Sequence, residues 1–133
     1  NWRDAMLLKI DFLSEEPIYM QIRNQIVVGI ASGNLRDGDA LPSVRTLGEE
    51  IGVNLHTVNK AYKLLQKEGF ITLARSRGAV VHAGNAARNA ADFLQTAEGT
   101  MRNIVSEAVT RHVDRVWLHH LVNALYDEFD GPK

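Results

Sequence analysis

The chain has 133 residues, room for one ordinary domain and an appendage. Its 45% apolar and 23% charged residues are those of a soluble globular protein, and the lack of cysteine excludes disulfides and thiolate metal sites. No apolar run reaches the ~20 residues of a membrane helix, and Asn1 to Ala5 are polar, with no signal-peptide core behind them. The expectation is a cytoplasmic protein without a membrane partner, with Met6 as its natural start.

Met6 to Phe12 reads as a short strand or extended arm. Pro17 opens a helix, where its fixed φ and missing N–H do no harm. Ile18, Ile22, Ile26 and Ile30 give that helix an apolar face, and Gly33 ends it. Leu35 to Leu41 holds a turn, RDGD, and a short extended piece before Pro42. Ser43 is a suitable N-cap for a second helix, whose inward residues are Val44, Leu47 and Ile51. Gly52-Val53-Asn54 then make a tight turn, with Asn54 capping a third helix. Val58, Ala61, Tyr62 and Leu65 form its inner stripe, and Gly69 closes it. Phe70–Ala74 and Ala79–His82 are β-rich and flank Arg75-Ser76-Arg77-Gly78, a hairpin with a basic tip.

After Gly84 the composition turns Ala-rich and helical, with Met101, Ile104, Val105, Ala108 and Val109 on one face. Gly99, a poor helix former, is expected to bend that helix or delay its start. Asp114 should cap a last helix striped by Trp117, Leu118, Leu121, Leu125 and Phe129, with Val113 and Leu118 stapling its start. The fold class is therefore mainly α with a small β wing. It is a winged helix-turn-helix over 6–84, followed by two C-terminal amphipathic helices over 85–130.

Charge follows this division. Pro17 to Gly84 carries eight basic and five acidic residues, a net of +3, between acidic flanks. A modestly basic block suits a local phosphate-binding face. A short helix and a tight turn can hold the third helix proud of the body, so that it enters a major groove ~12 Å wide. Its outer residues are His56, Thr57, Asn59, Lys60 and Lys63. Asn59 can pair with adenine N6 and N7, while Thr57 and Lys60 suit phosphates. The basic hairpin tip could reach a neighbouring minor groove.

The stretch from Pro17 to Gly84 resembles the GntR family of bacterial regulators. LPSVRTL, the block GVNLHTVNKAY and the basic-Gly wing RSRG stand in that family's order and spacing. The resemblance implies contacts to double-stranded operator DNA from Arg45, the start of the third helix and the wing. The candidate set is Ser43, Arg45, Asn54, Leu55, His56, Thr57, Asn59, Lys60, Arg75, Arg77 and Gly78. It also implies a homodimer on a palindromic operator. Leu55 stands where the family often has Arg or Pro, and could touch a thymine methyl or pack. Asn59 stands where many members have Arg, which shifts the expected base preference. With 49 residues after Gly84, the tail looks like that of the small YtrA-type branch, commonly repressors of transporter operons.

In the tail, Met101, Ile104, Val105, Ala108, Trp117, Leu118, Leu121, Leu125 and Phe129 are the expected dimer interface. The same stripe could pack on the winged domain or line a pocket for a small-molecule effector of unknown identity. A winged helix can also serve as a protein-interaction module. A fragment of a longer regulator fused to a pyridoxal-phosphate fold would use the tail as a linker. The five histidines show no HExxH and no ligand pair at i, i+4, so no metal and no cofactor are expected. No GxSxG, P-loop or cysteine nucleophile suggests an enzyme.

Overall fold

The computed structural model describes residues 8–74 and 78–130, and its contacts divide them into two units, one ending at Arg88 and one beginning at Asn89. In the first unit, helix α1 spans Ile18–Ala31 directly after Pro17, whose φ of −55° suits a helix start. Ile22 and Ile26 are fully buried and Ile18 and Ile30 half-buried, so the four-residue isoleucine repeat is the core face. Helix α2 spans Val44–Ile51; the Ser43 side chain caps it by accepting from the Thr46 N–H. Helix α3 spans Leu55–Glu68, capped by the Asn54 side chain, which accepts from the His56 N–H. Strands β1 (Ile71–Ala74) and β2 (Gly78–Val81) pair antiparallel, from Ile71 opposite Val81 to Ala74 opposite Gly78.

One core joins these elements. Leu47 from α2, Val58, Ala61, Tyr62 and Leu65 from α3, and Ile71 and Val81 from the hairpin close on Ile22 and Ile26. Leu35 and Leu41 seal it from the connection between α1 and α2. Truncating any one of the large members to alanine removes roughly 2–5 kcal/mol. The RDGD turn forms, with the Asp39 N–H donating to the Arg36 carbonyl. The residues after it join the wing: Ala40 bridges Val80, and the Leu41 N–H donates to the Ala79 carbonyl. The sheet thus gains a third, one-residue rung that ties the wing to the segment leading into α2.

At three places the structure decides between, or departs from, the expectations of the sequence. Met6 to Phe12 is expected as a short strand or an extended arm, and its described part, from Leu8, is the arm, with no β partner among the described residues. Its backbone pairs instead with two side-chain amides of α1. Gln25 accepts from the Lys9 N–H and donates to the Lys9 carbonyl; Gln21 does both for Asp11. Gln21 and Gln25 are four apart on one helix face, matching the two-residue repeat of an extended chain. Second, α4 (Gly84–Arg88) belongs to the first unit, because the Ala86 N–H donates to the Gly69 carbonyl at 3.0 Å. The compositional change at Gly84 therefore precedes the division in contacts by four residues. Third, Gly99 does not delay its helix: α5 runs unbroken over Ala90–Thr110, and the interruption falls at Asn89 instead. A single interior glycine costs about 1 kcal/mol, too little to break 21 residues of good helix formers.

The second unit consists of α5 and α6 (Arg115–Asp130). His112, with φ at 59°, turns the chain out of α5, and the Val113 N–H reaches back to the Ala108 carbonyl. Asp114 caps α6 as its sequence suggests, accepting from the Val116 N–H at 2.8 Å. No residue of α5 or α6 is buried. Among the described residues, no helix is long and apolar enough to cross a membrane.

Candidate nucleic-acid interface

The α2–turn–α3 unit is shaped by one close approach and one left-handed residue. A Cβ built on Gly48 would lie 2.6 Å from the Val53 carbonyl oxygen, so only glycine lets the turn backbone come this near to α2. Gly52, with φ at 70°, then reverses the chain in a conformation that side chains resist. The Val53 N–H donates to the Gly48 carbonyl at 2.9 Å and locks the turn. A further anchor is Tyr62 of α3. Its hydroxyl donates to the Pro42 carbonyl at 2.7 Å inside the core, and burial pushes its pKa above the usual phenol range. The two helices are therefore held by backbone and by a buried hydrogen bond as well as by apolar packing.

Once Val58, Ala61, Tyr62 and Leu65 face inward, helical periodicity turns the stripe His56, Lys60, Lys63 and Lys67 outward, and all four are exposed. Thr57 and Asn59 flank that stripe on opposite sides and are half-buried. Arg45 is exposed on the first turn of α2 and, like His56, Lys63 and Lys67, forms no ion pair among the described residues. The Arg45–Glu49 pair that i, i+4 spacing permits is not made. Arg45, Glu49, Gly52, Val53 and Leu55 line a shallow open depression beside the turn, with Leu55 half-buried. Ser43 and Asn54 are exposed, but their side-chain oxygens are engaged as helix caps. Gly78 is exposed at the end of the wing. Arg75 and Arg77 lie outside the described residues.

Tertiary structure adds residues that local patterning did not single out. The Lys60 ammonium sits 4.1 Å from the centre of the Tyr19 ring on α1. Arg23, one turn further along α1, grips the Glu68 carboxylate with two hydrogen bonds of 2.9 and 3.1 Å and lies over the Phe70 ring. These partners are about forty residues apart in sequence, and no local signal links them.

In the second unit, Met101, Ile104, Val105, Leu121 and Leu125 are exposed, Trp117 is 59% exposed, and Ala108, Leu118 and Phe129 are half-buried. Phe93 and Leu94, which the sequence reading passed over, are exposed as well. With α5 continuous through Gly99, Leu94, Ala97, Met101, Ile104 and Ala108 follow one another at helical spacing.

Comparison with known proteins agrees with this geometry. The family described as "Bacterial regulatory proteins, gntR family" matches residues 18–81. The HTH-type transcriptional repressor YtrA of Bacillus subtilis (strain 168) is 33% identical over 132 residues, 96% of this chain and 98% of that protein. Among solved structures, YtrA from Sulfolobus acidocaldarius, a GntR-family transcription factor, superposes with a TM-score of 0.60 at 40% identity. That match covers 78% of this chain and 98% of the other. The DNA-binding domain of AraR in complex with operator ORX1 superposes with a TM-score of 0.50 at 28% identity, covering 56% of this chain and 93% of that domain.

Proposed function

Because the chain belongs to the gntR family of bacterial regulatory proteins and is a DNA-binding transcription regulator rather than an enzyme, we propose that it works in the cytoplasm as a homodimeric repressor on a palindromic operator. The observation that carries the reading is the outer face of α3, which holds His56, Lys60 and Lys63 exposed while its inner face is locked into the core. In this reading α3 enters the major groove. Asn59 reads a base edge, and Thr57, Lys60 and Arg45 grip phosphates, with Ser43, Asn54, Leu55, His56 and Gly78 completing the contact surface. The wing tip, with Arg75 and Arg77, reaches the adjacent minor groove. The AraR domain, solved on its operator, shares this half of the fold and supports the placement.

The dimer rests on α5 and α6. Two helices that bury none of their own residues and expose a tryptophan, several leucines and a methionine have the surface of an obligate interface before assembly. Reading a palindrome in the major groove requires the two α3 helices of such a pair to stand ~34 Å apart, one DNA turn, or a multiple of it. Each chain then grips a half-site, and linkage lifts the affinity of the pair far above that of one half. Repression follows from occupancy of the operator; the Bacillus subtilis relative is named a transcriptional repressor. Sedimentation velocity tests the assembly. The wild type should be a dimer at micromolar concentration, and Trp117→Asp a folded monomer that binds a full operator weakly. A Trp117→Asp variant that stays dimeric and binds normally would move the interface elsewhere.

A further inference from the structure

We infer that Tyr19, on α1 and outside the helix-turn-helix, is a positioning residue for DNA binding: its ring holds the Lys60 ammonium at the outer face of α3 before DNA arrives. The inference rests on the proposed phosphate contact of Lys60. The observation is the 4.1 Å separation between the Lys60 nitrogen and the centre of the half-buried Tyr19 ring.

A lysine on a helix surface is a flexible four-carbon stem, and binding a phosphate freezes it. The entropy so lost weakens the contact unless part of it is lost beforehand. An aromatic face supplies that restraint without consuming the charge. It attracts the ammonium through the ring quadrupole and takes one side of it, leaving N–H donors open for phosphate oxygens. A carboxylate in the same place would hold the lysine but neutralise it.

The ring itself is well supported. Tyr19 is in the first turn of α1, next to Ile18 of the core-facing stripe and itself packed against the core. Four residues on, Arg23 is bound to Glu68 near the C-terminal end of α3. Residues 19 and 23 lie one above the other on α1, so this face fastens α3 at two points, Lys60 in its second turn and Glu68 at its end. The second is an ion pair and closed to DNA; the first leaves its cation available.

The test is a set of binding isotherms across a salt series, on the sequence that the protein selects from a random pool, for Tyr19→Phe, Tyr19→Leu, Lys60→Met and the Tyr19→Leu/Lys60→Met double variant. Melting curves accompany each. An exposed cation–π contact corresponds to about a two- to fivefold change in affinity. Tyr19→Leu should therefore bind about two- to fivefold more weakly, and Tyr19→Phe, which keeps the ring, like the wild type. In the Lys60→Met background the Tyr19→Leu change should have no further effect. Lys60→Met should also lower the salt slope by about one unit. Loss in Tyr19→Phe equal to that in Tyr19→Leu would mean that the hydroxyl touches DNA, and a full Tyr19→Leu effect without Lys60 would mean that the ring serves the fold. Either overturns the inference while the phosphate contact of Lys60 stands. An unchanged affinity and slope in Lys60→Met would remove that contact, and the inference with it.

Discussion

Replacing Gly48 by alanine sets two effects of opposite sign against each other. In an exposed helix the change stabilises by about 1 kcal/mol, because alanine restricts the unfolded chain and glycine does not. Here the new methyl would stand 2.6 Å from the Val53 carbonyl oxygen, where ordinary carbon–oxygen contacts begin near ~3.3 Å. The obstacle is backbone, in a turn pinned by the Gly52 conformation and by the bond from Val53 to Gly48, so no flexible side chain can swing away. Forcing a methylene into such a place costs typically ~1–3 kcal/mol. The clash should win by about 1 kcal/mol, lowering the melting temperature of a unit this size by about 4–8 °C. DNA binding should suffer more than stability. The displaced turn carries the start of α3, and one lost base contact is worth ~1–3 kcal/mol, or about tenfold in affinity. Circular-dichroism melting and fluorescence-anisotropy titration of the selected site and of random DNA measure both. A raised melting temperature with unchanged affinity would show that the turn yields freely and that the close approach does not set the position of α3.

Three further substitutions separate the parts of the site. Arg45→Ala should weaken specific and random DNA alike and reduce the salt slope by about one unit; an unchanged slope and affinity would take Arg45 off the DNA. Asn59→Ala should relax base preference by about 1–3 kcal/mol at one position of each half-site, measured on single-base operator variants. One common factor for every variant would refute direct readout. Tyr62→Phe should cost ~1–3 kcal/mol by stripping the buried Pro42 carbonyl of its donor. In the wild type the raised Tyr62 pKa means that, above the ordinary phenol value of about 10, the unfolded chain ionises and the folded one does not. That contribution to stability is complete below pH ~10 and is lost as pH rises beyond it. Tyr62→Phe should show a shallower alkaline decline in melting temperature, and an identical decline would contradict the burial argument.

The first unit was largely legible because its signals are local and mutually consistent. The isoleucine repeat of α1, the Ser43 and Asn54 caps, the Gly52 and Gly69 stops and the inner stripe of α3 each follow from side-chain type at fixed spacing. What escaped is held by tertiary pairing. The glutamines that clasp Lys9 and Asp11 carry no local signal of that role, and Lys60 over Tyr19 joins residues with no shared motif. Gly99 misled through its propensity alone. Taken as a bend or a late start, it hid the continuity of Leu94 and Ala97 with Met101, although its flanking residues outweigh one glycine. The tail stripe was visible for the same reason as the α1 stripe, but a repeat tells only that a face is apolar, not what covers it.

Selection of bound sequences from a random DNA pool by the whole protein tests the central claim most directly. The account predicts enrichment of one palindrome, its half-sites centred about one helical turn apart or a multiple of that, with Asn59→Ala altering a symmetry-related pair of positions. Enrichment of a single unpaired half-site would contradict the dimer, and no enrichment at all would contradict sequence reading by α3.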